Sequence, residues 1–517
     1  MARPAAGIRM VGFKAAGALF LTGVATATIA GPARAQATED LRTDGVRREL
    51  EVRRIVLDNG MRVLALPRPG APVVSLVVRF AVGGVNERPG TTGAAHFLEH
   101  LLFRGTEKTG TEDWEAERAL YPLMDAAHDS VVAARVRGDG AEMERLLARI
   151  SALEDSARVF TDPGEFDRIL RRAGARGLNA TTSNDATTYF VDLPSHRLRE
   201  WFELEADRMA NPVLRGFYSE RKVVIEERKL RVEGDPGGAL VEAHLAAAFS
   251  VHPYRHPVVG YMTDLENLSR EEVAAYHRSY YGARNAVTVI VGDVDPDEIE
   301  ALARRHFGPL PAGDPPPPIT AKEPEQRGER RVELVFDVEP RLRIGWKVPA
   351  ATHHDTPALE LLATLLTGGR SSRLHRRLIL EDRIAASVSA SLQPGSAFPR
   401  LLVLDAVPLG PTTTAQVEEA VYAEVERLAS EGPTEVELAR VGNQVRAGAV
   451  RGLVSNFGLA LRLAENEALF GDWRAMLGHP ERLRAVTADD VRHVARKYLV
   501  REGRTVATVV RGEGPIS

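Results

Sequence analysis

The chain has no cysteine. Disulfide staples, thiolate zinc sites and a cysteine nucleophile are therefore excluded, and any metal must be held by histidine and carboxylate. It also has no basic cluster. The formal charge is -4 and the basic residues are spread along the chain, so no nucleic-acid footprint is expected. A GxSxG elbow is absent as well, which leaves no motif for a serine nucleophile. What is present, 517 residues at 44% hydrophobic and 27% charged, suits a globular protein of two or more domains.

Residues 1–35 read as a separate object. Arg3, Arg9 and Lys14 precede an apolar stretch from Ala15 to Ala30, and Ala33-Arg34-Ala35 offers small residues for cleavage before Gln36. Sixteen residues interrupted by glycine and threonine are short for a membrane span, which needs about 20. A cleaved signal peptide is expected, with no stable membrane anchor and a periplasmic or secreted mature protein.

The remainder carries a diverged internal repeat. Ser269 and Glu272 form a capping box before an amphipathic helix ending at Tyr280, followed by an alternating strand; Thr487 and Asp490 open the same helix-strand pattern ending at Tyr498. Both pairs of landmarks are 218 residues apart, whereas Leu101-Leu102 and Leu365-Leu366, earlier in each half, are 264 apart. The first half thus holds 46 extra residues. Met143, Leu146, Leu147, Ile150 and Leu153 at helical spacing, with a turn at 137–140, place a helical hairpin at about 120–163. Residues 309–329 are proline-rich and charged, and so form a linker. The expected fold class is α+β: two homologous domains, 40–308 and 330–517, each a mainly antiparallel sheet with packed helices.

The chemistry concentrates at His96-Phe97-Leu98-Glu99-His100, on a short helix expected over 94–103. His96, Glu99 and His100 fall within about 100° of one another, and Phe97, Leu98, Leu101 and Leu102 take the other side. Two histidines four apart can share one zinc ion, and the carboxylate between them can accept a proton from the water that the metal activates. This HxxEH pattern is the inverse of HExxH. A third ligand is needed. A helix expected over 219–231 offers Glu220 and Glu227, seven apart and sharing a face with Val223 and Val224. Two carboxylates in an apolar stripe call for a nearby cation. Glu226 points elsewhere with Lys222, as a solvated surface pair.

The chain resembles the M16 peptidases, the pitrilysin, insulinase and mitochondrial processing peptidase group. The resemblance rests on HFLEHLLFRGT at 96–106, Asn179-Ala180-Thr181-Thr182 with Tyr189, AlaAspArgMet at 206–209, ERKVVIEE at 220–227, NAVTVIVGDV at 285–294 and GGRSSRL at 368–374. It implies that zinc is bound by His96, His100 and Glu227, that Glu99 is the base, and that Glu220 is a supporting carboxylate. It further implies that the strand around Asn179 and Ala180 pairs with an extended peptide substrate. The implied function is an exported zinc endopeptidase or oligopeptidase; the alternative is a noncatalytic peptide-binding or assembly subunit.

Two departures from the family pattern matter. His100 and Glu227 are 127 residues apart, more than in relatives, and the 46-residue insertion accounts for the surplus. Many relatives also carry, after the GGxSSRL stretch, an Arg and a Tyr that hold the substrate carbonyl; Ile379 and Ala386 stand at those places here. A heterodimer is therefore expected, with a homologous subunit supplying the Arg and Tyr. Carrying the 264-residue offset onto the motif puts Glu360, Ala363 and Thr364 at its positions in the second half, which is expected to be metal-free.

Overall fold

A computed structural model describes residues 50–512; the segment read as a signal peptide lies outside them. Two sheets organise the chain. The first contains β1 (Arg53–Val56), β2 (Arg62–Pro67), β3 (Val73–Phe80), β4 (Arg176–Thr182), β5 (Thr187–Pro194) and β6 (Ala286–Gly292), in the order β1-β2-β6-β3-β5-β4. The second contains β7 (Arg330–Phe336), β8 (Arg341–Val348), β9 (Ala385–Gln393), β10 (Arg400–Pro408) and β11 (Arg504–Arg511), in the order β7-β11-β8-β10-β9.

The sheets repeat one topology. β2 runs parallel to β6 as β7 does to β11, and every other pairing is antiparallel. The capping boxes at Ser269/Glu272 and Thr487/Asp490 form as the sequence indicates, and their helices, Arg270–Tyr280 and Ala488–Tyr498, end at corresponding tyrosines. The fold is α+β, with two duplicated units and, among the described residues, no closed barrel.

The two units exchange helices. Helix Pro236–Ala248, from the first half, packs on β7, β8 and β11 of the second sheet, while helix Asn456–Phe470, from the second half, packs on β3 and β6 of the first. Gly345 in β8 shows how close this approach is: a Cβ there would lie 2.5 Å from the His244 ring, so only glycine fits beneath the helix. The other exchanged helix starts at Ser455, which caps Gly458 N, and stops at Gly471 in the left-handed conformation. Its stripe Leu459, Ala460, Leu463 and Ala464 is buried, as helical spacing predicts. Glu467 continues that stripe and is also fully buried. It accepts from Arg54 Nε at 3.0 Å and from Trp473 N at 3.1 Å, and its backbone carbonyl accepts from Arg62 Nη1 at 3.0 Å.

Within 120–163 the chain forms two antiparallel helices, Tyr121–Arg137 and Gly140–Arg158. Leu146 and Ile150 face inward while Leu147 is exposed. The hairpin braces helix Phe217–Arg228: Glu154 accepts from Ser219 N at 2.9 Å, and Tyr218 donates to Asp125 at 2.9 Å. At the start of this region the fully buried Glu117 holds Arg215 by paired bonds of 2.7 and 3.0 Å, and Arg215 in turn donates to the carbonyls of Arg104 and Thr106. Residues 310–328 have no helix or strand, yet they are pinned to the body, since Glu323 accepts from Ser250, Val251 and His252 N.

Removing the Glu467 carboxylate deprives Arg54 and Trp473 N of their buried partner, while the bond from Arg62 to the Glu467 backbone carbonyl remains. Glu467→Ala is expected to cost about 1.5–3 kcal/mol, typical of hydrogen bonds to charged groups. A urea melt checks this, and an unchanged midpoint would contradict the bridging role.

Candidate metal centre

The motif helix runs over Ala94–Leu101, two residues shorter than expected. Phe97, Leu98 and Leu101 are fully buried, so the apolar side locks the helix to the first core and aims His96, Glu99 and His100 together. Its N-terminus is satisfied by the buried Glu87, which accepts from Gly93 N at 2.9 Å and Ala95 N at 2.8 Å. The second element is helix Phe217–Arg228, which continues as a π-helical turn over Lys229–Glu233. Glu220 and Val224 are buried on its inner face and Glu227 is mostly so. Val223, by contrast, is 51% exposed, because a residue one position from Val224 turns about 100° outward. Glu226 is exposed as expected, but it pairs with Lys229 at 2.8 Å, one turn on, rather than with Lys222.

The two helices bring three ligand atoms together. His96 Nε2 lies 3.7 Å and His100 Nε2 3.5 Å from Glu227 Oε2. Donors bound at ~2.0–2.1 Å to one tetrahedral zinc ion are themselves about 3.3–3.4 Å apart, so these residues fit the metal with small adjustments. Glu220 does not enter this triangle. Its Oε1 holds His100 Nδ1 at 2.9 Å, which leaves Nε2 for a metal, and its Oε2 accepts from Arg104. His96 Nδ1 is buried without a partner.

The electrostatics follow from burial and proximity. Burial, with the neighbouring His100, pulls His96 down to about 4. For His100 burial acts in the same direction but is outweighed by hydrogen bonds to Glu220 and Glu227, which hold it up to about 9. Glu227 also opposes its own burial, through His100, His96 and Arg231, and falls to about 2. Glu99 is raised, mainly by burial, against a hydrogen bond from Thr182.

Asn179 and Ala180 lie on β4, which among the described residues pairs only with β5 and so presents a free edge beside the motif helix. Two residues outside the sequence-derived set complete the site. Thr182 Oγ1 donates to Glu99 Oε2 at 2.5 Å, and Arg231 Nη1 meets Glu227 Oε1 at 2.7 Å. Their signals are positional: Thr182 shares strand parity with Ala180, and Arg231 is one helical turn beyond Glu227.

In the second half Glu360, Ala363 and Thr364 lie on helix Thr356–Thr367, where Glu360 pairs with His479 at 3.0 Å. Among the described residues, one other group, His353, His354 and Asp355, has metal-ligand spacing. Asp355 there is already bonded to Lys497 and Tyr498, and the His354 side chain is 81% exposed. Ile379 packs against the second core, and Ala386 is exposed on the outer strand β9.

Comparison with known proteins agrees with this architecture. The family model described as Insulinase (Peptidase family M16) matches residues 62–120, stopping where the inserted hairpin begins, and the model described as Peptidase M16 inactive domain matches 267–445. The zinc protease PqqE of Helicobacter pylori is 28% identical over 454 residues, covering 86% of this chain and 89% of that protein. An uncharacterized zinc protease of Mycobacterium tuberculosis is 29% identical over 461 residues, covering 87% and 92%. The crystal structure of a protease from Helicobacter pylori superposes with a TM-score of 0.76 at 26% identity, over 89% of this chain and 100% of that one. With family models matching in both halves and relatives aligned along most of its length, the chain is similar to the M16 peptidases throughout its two sheets.

Proposed function

We propose that this chain is an exported zinc-dependent peptidase that hydrolyses extended peptides. The observation that carries the reading is the convergence of His96 Nε2, His100 Nε2 and Glu227 Oε2 beside a half-buried Glu99. The relatives' zinc protease names agree with it. His96, His100 and Glu227 would hold the metal, with Glu220 fixing the His100 tautomer. Zinc, when bound, supplies Lewis acidity, lowering the pKa of water toward about 7 and polarising the scissile carbonyl. Glu99 takes the proton from the attacking water and delivers it to the leaving amine. Asn179 and Ala180, on the free edge of β4, hold the peptide backbone by strand addition. Export rests on the charged and apolar pattern of residues 1–35.

The apolar Ile379 and Ala386 favour a partner. Neither side chain can donate to a carbonyl oxygen on which negative charge develops, and loss of such a donor costs on the order of 100- to 1,000-fold in turnover. The active form is then a heterodimer with a homologous chain that supplies the Arg and Tyr. The same substitutions also suit a noncatalytic peptide-binding or assembly subunit, which the intact His96, Glu99, His100 and Glu227 disfavour.

Metal analysis is expected to give one zinc ion per chain, lost in a His96→Ala, His100→Ala double variant; full zinc in that variant would contradict the ligand set. Glu99→Gln is expected to keep zinc but lose roughly 100- to 10,000-fold in turnover, the usual contribution of a general base. Glu227→Gln, by contrast, weakens zinc binding, and the reverse pattern would overturn both assignments.

At pH 7 His100 carries a proton that zinc must displace, whereas His96 is neutral and Glu227 ionised. Zinc uptake is therefore expected to release about one proton per chain, and affinity to rise with pH until about 9. Calorimetry in two buffers of different ionisation enthalpy measures this, and zero release would refute it. For the partner, an Ile379→Arg, Ala386→Tyr variant should gain activity over the purified homodimer. High activity from the unmodified homodimer would exclude the heterodimer requirement.

A further inference from the structure

We infer that Thr182 is the positioning residue for the base: its hydroxyl, at the end of the strand expected to take the substrate, orients the Glu99 carboxylate toward the metal ligands. The inference rests on the reading of Glu99 as the base and goes beyond it, because it ties that base to the substrate-binding edge.

Three features of the local build support it. First, Thr182 Oγ1 donates to Glu99 Oε2 at 2.5 Å, engaging one carboxylate oxygen and leaving Oε1 for the reacting proton. A carboxylate held by one donor at the end of a flexible side chain loses the rotations that would turn it from the reacting atoms. Second, the strand gives Thr182 its direction: Ala180 is buried, Thr181 exposed and Thr182 turned inward again, toward the motif helix that packs beside β4.

Third, the tip of the β4–β5 hairpin is fixed relative to that helix. Thr182 pairs with Thr187, whose hydroxyl donates to Val82 O at 3.0 Å. Gly84 N donates to Ser183 O at 3.1 Å and Val85 N to Asn184 O at 2.8 Å. The contact is so close that a Cβ on Gly83 would lie 2.2 Å from Ser183 O, which makes glycine obligatory there. The same short segment continues to Glu87, which caps the N-terminus of the motif helix. The stretch 83–87 therefore holds both the hairpin tip that carries Thr182 and the helix that carries Glu99, so the distance between the two side chains is set from both ends.

The test uses the zinc-loaded mature chain in its active assembly and a fluorogenic peptide. Thr182→Val and Thr182→Ala remove the donor, and Thr182→Ser keeps it. The expected result is a fall in kcat on the order of 10- to 100-fold for Val and Ala, the range set by one hydrogen bond to a charged group. KM, zinc content, zinc affinity by chelator competition and melting temperature should stay near wild type, and Ser should restore most of kcat. A kcat within twofold of wild type for Val and Ala would overturn the inference. So would a loss expressed mainly in KM, which would mark Thr182 as part of the strand edge alone, and so would failure of Ser to rescue. Glu99→Gln run alongside separates the two claims. An active Glu99→Gln sinks the base assignment itself, whereas an inactive Glu99→Gln with normal Thr182 variants sinks only the role of Thr182.

Discussion

The constraint on which the site depends is the crowding of like-natured polar groups in a poorly hydrated volume. Two imidazoles and the carboxylates of Glu99, Glu220 and Glu227 meet on the inner faces of two helices, where unpaired charge is costly. The protein meets part of this cost itself. Arg104 covers Glu220, Arg231 covers the outer oxygen of Glu227, and Thr182 covers one oxygen of Glu99. Three ligand atoms are left facing one another, with His100 and Glu227 offsetting each other in part, and a divalent cation is a group whose charge and bond lengths suit that triangle.

Several contacts in the first half hold that crowded set in place. The motif helix is anchored by its apolar side, capped by Glu87 and followed by a loop whose carbonyls are gathered by Arg215. The ligand helix is braced from outside by the inserted hairpin. The second half contributes through exchange: its helix Asn456–Phe470 covers the face of the first sheet opposite the motif helix. Neither sheet is therefore buried on both faces by its own half, so the folding of one unit depends on the other. Such mutual coverage gives the second half a structural task that needs no metal.

Much of this was legible because it is written in short-range patterns. The two-faced HxxEH helix, both capping boxes and the 46-residue insertion all follow from spacing along the chain, and each corresponds to an element in the structure. Local periodicity also brought Glu220 and Glu227 onto one face, but it could not rank them: residues seven apart look alike until the helix is docked against His100. It also misplaced Val223, since neighbouring valines cannot both face the core. Long-range features were invisible. Helical spacing shows that Asn456–Phe470 has a buried stripe but not that a sheet of the other half covers it, and Glu467 in that stripe reads as an anomaly until Arg54 and Arg62 arrive from about 400 residues away. The segment 309–329 has the composition of a loose linker, yet the pinning by Glu323 depends on backbone groups some 70 residues earlier.

The triangle of His96, His100 and Glu227 is proposed as a zinc site. The most direct test is anomalous diffraction at the zinc edge from crystals of the purified chain. A single strong peak is expected within bonding distance of His96 Nε2, His100 Nε2 and Glu227 Oε2, with Glu220 outside the coordination shell. A peak at His353, His354 and Asp355 instead, or zinc held by Glu220 in place of Glu227, would contradict it.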